Sequence, residues 1–187
     1  MFFTARFAAR FAARLAAAVF ACALAAPAIH AATPLPTVPA LDLDRYLGVW
    51  HEIARYPNRF QEQCASDVTA TYTRNADGTL GVVNACRKAG GETMRARGQA
   101  RMVTPPATLA VRFAPAWLAW LPLVWGDYWV IDLADDYRYA VVGEPSREYL
   151  WVLARDPRLA EADWQRIVAR LPALGYDPAR LVRTPAS

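Results

Sequence analysis

Few side chains in this sequence are placed to do covalent or acid-base chemistry. Its 187 residues include two histidines, His30 and His51, and three cysteines, Cys22, Cys64 and Cys86. His30 falls in an N-terminal segment expected to be removed, so the mature chain offers one imidazole. A serine or cysteine hydrolase needs a histidine held by a third group, which leaves His51 as the lone base. A zinc site built on several histidines has no ligand set, and Cys64 and Cys86 are too far apart for a CxxC redox pair. Glu52 is the acid that strand alternation turns inward, and a buried carboxylate in such a place is more often a hydrogen-bonding partner than a general acid. No catalytic residue, metal or cofactor is expected.

The elements that would position these groups follow from length and composition. A chain this long supports one domain with a sizeable core. At 55% hydrophobic, 12% aromatic and 20% charged, it has the apolar supply to fold and too little net charge for disorder. The formal charge is +4. Arg6, Arg10 and Arg14 supply three of those charges from the N-terminal segment, and a nearly neutral remainder gives no electrostatic case for nucleic acid.

Residues 1–32 begin with those three arginines and no acid, continue as an apolar run over 15–26 and end in small residues around Ala28, Ala31 and Ala32. This is the three-part design of a secretory signal, with an apolar core too short for a comfortable bilayer span. Cys22 offers a second outcome, lipidation and anchoring at the outer membrane, although Phe20 stands where a small residue is usual. With the signal removed, Cys64 and Cys86 are alone in an oxidising compartment, where paired cysteines become a disulfide. Across the turn at 75–78, Asp67 falls opposite Cys86, which brings Cys64 within reach; two free buried thiols are the alternative.

Residues 33–42 form a proline-rich leader that cannot continue a helix, and residues 43–187 form the folded domain. Short β-branched and aromatic runs separated by turn signals predict eight antiparallel strands at 50–54, 67–74, 79–86, 94–103, 108–113, 128–132, 139–144 and 149–155. Asn75-Ala76-Asp77-Gly78 closes one hairpin and Glu144-Pro145-Ser146-Arg147 another. One helix follows, with Asp156 as its cap and Pro157 in its first position. Ala160, Trp164, Ile167, Val168 and Leu171 form its apolar stripe, which should lie against the outside of the sheet.

Eight up-and-down strands and one helix describe an all-β barrel wide enough for a small ligand. Three runs carry a family likeness. The run Gly48-Val49-Trp50 opens the first strand, Asp136-Tyr137-Arg138 precedes the seventh with Asp135 where threonine is usual, and Arg155 ends the eighth. Together they resemble the three signatures of lipocalins, and the likeness runs from about Leu43 to Leu181, nearest to bacterial outer-membrane lipocalins and apolipoprotein D. It implies that Gly48, Trp50, Asp136, Tyr137 and Arg155 are fold determinants, with Arg155 stacked on Trp50 at the closed end. If Trp50 and Arg155 face inward, parity turns Glu52, Ala54, Tyr149 and Trp151 inward too. The family pattern adds Ala70 and Tyr72, Val82 and Asn84, Met102, Val111 and Phe113, and Tyr128. These residues are the expected ligand-binding lining, mostly apolar with a few polar groups, which suits a lipophile whose polar end needs one or two hydrogen bonds. A filled core without a cavity is the alternative.

Residues 114–125 form a long loop with three tryptophans, Trp117, Trp120 and Trp125, two prolines and no charge. Apolar loops of this kind are seldom left in water without a partner. Two roles stand open, a cover over the cavity mouth or a contact with a membrane surface, with a homodimer contact third. The expected function is binding and transport or storage of a small lipophilic molecule in the bacterial envelope, periplasmic or anchored through Cys22. A lipocalin-fold enzyme and an envelope scaffold without ligand are the alternatives.

Overall fold

Alternation at period two sends one face of each strand to a common interior, and the chain closes on itself to bury it. The computed structural model describes residues 34–186, so the signal segment, His30 and Cys22 lie outside the described residues. The strands are β1 (Gly48–Arg55), β2 (Ser66–Arg74), β3 (Leu80–Arg87), β4 (Thr93–Thr104), β5 (Thr108–Arg112), β6 (Gly126–Leu133), β7 (Tyr139–Gly143) and β8 (Leu150–Ala154). Each pairs antiparallel with its sequence neighbour, β8 returns to β1, and β1 pairs with β2 to complete the barrel. All eight strands expected from the sequence are present, as are both hairpins. Gly78 at φ +81° supplies the left-handed position of the first turn.

Three features of the fold were not expected. A short helix, α1 (Leu43–Tyr46), is capped by Asp42, whose carboxylate accepts from the amides of Asp44 and Arg45 at 2.9 and 3.3 Å. The leader docks on the barrel: Leu35 and Val38 are buried, and the Val38 amide donates to the Val130 carbonyl at 2.9 Å. Finally, β9 (Val182–Arg183) pairs with Ala54 and Arg55 of β1 beyond the point where the β1–β2 ladder ends at His51.

The closed end is stoppered by Trp50, fully buried, with its Nε1 donating to the Tyr46 carbonyl at 2.8 Å. Arg155 lies over its ring at 3.9 Å and donates to the carbonyls of Val49 and Arg45. A guanidinium on the ring face gains from the ring quadrupole while satisfying carbonyls that the closed end would otherwise leave bare. Gly48, at φ +94°, is the backbone position over which this guanidinium passes, since a Cβ there would meet its NH1 at 3.4 Å.

A second core lies outside the barrel, under α2 (Glu161–Arg170), where Ile167 and Leu171 pack with Ile131, Val141, Val152 and Ala154. The helix begins later than expected. Residues 155–158 bend across the barrel end with Arg155 held over Trp50, so Asp156 caps nothing and Ala160 is the exposed N-cap residue. The first turn turns Asp163 inward instead, where its carboxylate meets Arg138.

Candidate functional site

The interior is built in two tiers. In the lower tier Tyr46, Tyr72, Leu80, Val82, Leu109, Tyr128, Val130, Val142 and Leu153 are buried around Trp50. The hydroxyl of Tyr128 lies 2.7 Å from that of Tyr46 and receives a bond from that of Tyr72 at 2.8 Å. Burial pushes all three phenols up, Tyr72 to about 12, because the charged form has no water to solvate it. This neutral triad forms the floor, so the expected lining residues Tyr72, Val82 and Tyr128 stand together there.

Above it the inward positions keep partial exposure. Ala70, Asn84, Ala96, Gly98, Val111 and Trp151 are half-buried, as is Met102 beside Leu109. Ala70, Asn84 and Ala96 are cross-strand partners in one row of the sheet. The side chains on either side of Asn84 are small and apolar, and its Oδ1 is buried without a hydrogen-bond partner.

The mouth is organised by Glu52. Its carboxylate accepts from Arg55 NH1 at 2.7 Å, from the Thr184 hydroxyl at 2.5 Å and from Gln61 Nε2 at 2.5 Å. Gln61 Oε1 in turn accepts from Trp151 Nε1 at 2.9 Å. Tyr149 stacks on Trp151 with ring centroids 5.9 Å apart, and Phe60 reaches Tyr149 at 5.8 Å. The segment that supplies Phe60 and Gln61 is tied to the barrel wall by the Cys64–Cys86 disulfide, Cα atoms 5.5 Å apart. An open cleft of about 280 Å³ adjoins the same segment, lined by Arg55, Asn58, Arg59 and Gln61 among others. Most of the residues around it are polar types, whereas the residues inside the barrel are mostly apolar.

One expected lining residue is elsewhere. A β-bulge between Glu52 and Ala54 inserts one extra residue against β8, so Glu52 faces Leu153 but Ala54 faces Val152. Ala54 is therefore buried in the outer core under α2. The same slip turns Arg55 toward Trp151, which no alternation rule could foresee. Phe113, just past the end of β5 and 43% exposed, stays on the lining side at its rim. Its ring rests against Gly98, where a Cβ would come within 2.8 Å of it. His51 lies on the outward parity, opposite Thr69 and Ala154.

The loop at 114–125 winds through two 3-10 turns and turns Trp117, Trp120 and Leu123 to solvent at 72, 76 and 95% exposure, not into the barrel. Trp125 differs from its two neighbours: it lies against Arg101 at 4.1 Å and Arg112 at 5.2 Å, and its Nε1 donates to the Ala119 carbonyl. At the opposite end of the barrel, Tyr137 adopts φ 64° and its hydroxyl accepts from the Asp42 amide, while Asp136 pairs with Arg138 at 2.9 Å.

Residues 41–186 match the family described as a lipocalin-like domain. Temperature-induced lipocalin-1 of Arabidopsis thaliana is 40% identical over 157 residues, covering 82% of this chain and 83% of its own. Outer membrane lipoprotein Blc of Escherichia coli is 34% identical over 142 residues, covering 75% and 77%. Among solved structures, insecticyanin from the tobacco hornworm superposes with a TM-score of 0.64 at 19% identity, covering 82% of this chain and 85% of its own.

Proposed function

The chain belongs to the lipocalin-like family, and from that premise we propose that it carries or stores a small lipophilic molecule, a fatty acid or lysophospholipid in class, in the upper tier of the barrel and without chemistry of its own. Members of the family generally bind and transport small hydrophobic molecules. The observation that carries the proposal is the division of the interior: a packed floor around Trp50, then half-buried, mostly apolar Ala70, Ala96, Val111 and Trp151 beyond it. Glu52 supports a carrier over an enzyme, because both of its oxygens are occupied by Arg55, Thr184 and Gln61. Each methylene moved from water into such a lining contributes about 0.8 kcal/mol before ordering costs. Affinity should therefore climb with acyl length until the space is full. Titrating fatty acids and lysophospholipids into delipidated protein, alongside mass spectrometry of co-purifying lipid, tests this; if no chain of any length binds and no lipid co-purifies, the barrel is a scaffold.

The reading extends to location and partner. Export through residues 1–32 fits the outer-membrane relatives, with release to the periplasm as the proposed outcome and lipidation of Cys22 as its rival. Replacing Cys22 with serine should leave the mature mass and soluble partitioning unaltered. The exposed Trp117, Trp120 and Leu123 are proposed to touch a membrane surface, since tryptophan favours the headgroup boundary. The exposed arginines 97 and 101 on the outer face of β4 stand beside the same loop and favour an anionic one.

A further inference from the structure

Inside the barrel, nearly every inward polar group is answered by another. The three floor hydroxyls bond to one another, and Glu52, Arg55, Gln61 and Trp151 form one connected set. Among the described residues, three buried side-chain atoms find no hydrogen-bond partner: Arg112 Nε, Trp129 Nε1 and Asn84 Oδ1. Arg112 is outward, opposite Gln99, and Trp129 packs against the core under α2. Asn84 shares the parity of Leu80 and Val82 and so points into the barrel.

Its place in the sheet gives this orphan meaning. Asn84 stands two residues above Val82, where the packed floor gives way to half-buried lining. Its cross-strand neighbours Ala70 and Ala96 carry no polar atom and cannot reach it. The residue is partly exposed although its Oδ1 is buried, so in an empty barrel solvent reaches part of the side chain but not that oxygen. An acyl chain that displaces the solvent leaves a buried amide facing methylenes, and an unpaired polar group in an apolar site is costly.

We propose that Asn84 determines specificity in the barrel by selecting cargo that bears a hydroxyl partway along its apolar body. A hydroxyl both donates and accepts, so it satisfies either end of the carboxamide. A site built to bond such a group discriminates against the analogue lacking it far more strongly than an apolar site discriminates by size. This inference rests on the carrier reading above.

The test compares plain stearate with a set of hydroxystearates that differ in the position of the hydroxyl, each titrated into delipidated wild-type protein, Asn84→Leu and Asn84→Ala, with a melting curve to show that each variant folds. At least one hydroxystearate should bind wild type about tenfold tighter than stearate, the margin of one well-made hydrogen bond over an unpaired group. Both variants should lose that margin and bind plain stearate as well as wild type or better. If wild type prefers no isomer over stearate, or the preference survives both substitutions, Asn84 has no such role while the carrier reading stands. If neither stearate nor any hydroxystearate binds, the carrier reading falls and this inference with it.

Discussion

Arg155 and Trp50 meet at 3.9 Å, guanidinium over ring, at the closed end of the barrel, where Trp50 is fully buried. The arginine also bridges the carbonyls of Val49 and Arg45, so it ties the start of β1 to the end of α1. Arg155→Ala should lower stability by about 1–3 kcal/mol through lost packing and bare carbonyls. Affinity for an acyl ligand in the upper tier should change little once the protein is folded. A melting temperature equal to that of wild type would refute this role.

The Cys64–Cys86 bridge holds the segment that carries Phe60 and Gln61 against β3. Thiol titration of the denatured, unreduced mature protein should detect no free cysteine. The double variant Cys64→Ser, Cys86→Ser should lose about 3 kcal/mol by releasing the unfolded chain from a closed loop. An undiminished denaturation midpoint would show that the bridge contributes nothing.

Asp163 and Arg138 form a bidentate pair at 2.8 and 2.7 Å that fastens α2 to the turn before β7. The hydrogen bonds from Arg138 hold the Asp163 carboxyl below the usual carboxylate range, against the opposing effect of desolvation. A depressed folded pKa stabilises above the unfolded value of about 4 and is lost as pH falls through the folded one. Melting curves of wild type and Asp163→Asn should thus differ most at neutral pH and converge in acid. A gap that stays constant down to strong acid would contradict the pairing.

The floor triad works in the other direction. Tyr72 is raised to about 12 and Tyr46 and Tyr128 are also raised by burial. Their contribution is complete below the unfolded phenol pKa of about 10 and disappears as pH climbs through the folded values. Ultraviolet titration of the eight tyrosines should show a late phase that coincides with loss of the folded circular dichroism. A single ionisation step near pH 10 with the fold intact would exclude a sealed triad.

For the exposed loop, the double variant Trp117→Ser, Trp120→Ser should keep its melting temperature, because neither ring is buried. It should lose most of its sedimentation with phosphatidylglycerol vesicles. Wild type should bind these better than phosphatidylcholine vesicles, and salt should weaken the difference, since each arginine near an anionic surface adds about 1 kcal/mol. A wild-type protein that binds neither vesicle but elutes as a dimer, and a variant that elutes as a monomer, would assign the loop to self-association instead.

Strand alternation made most of the interior legible before any coordinates, because side chains of one parity must share a face. Which parity of these strands faces inward came from the family likeness, and Tyr72, Val82, Asn84 and Tyr128 stand where alternation from that start puts them. It failed at Ala54 because one inserted residue reverses parity, and nothing in Glu52-Ile53-Ala54 marks the bulge. The start of α2 was misplaced because Pro157 and Asp156 carry good local helix signals that the tether of Arg155 to Trp50 overrides. The mouth was least legible. Glu52 finds its partners at Arg55, Gln61 and Thr184, and the last is 132 residues away, a pairing that only the closed fold creates.

That long-range partnership also governs when the barrel can close. The upper edge of β1 is completed by Val182 and Arg183, the Thr184 amide donates to the Ile53 carbonyl, and the Asp67 amide donates to the Pro185 carbonyl. β8 covers one edge of β1 at the mouth, and until that distant segment docks the other edge, beyond His51, has no strand beside it. Closure of the mouth is thereby deferred to the final stage of folding, as non-local pairings generally are.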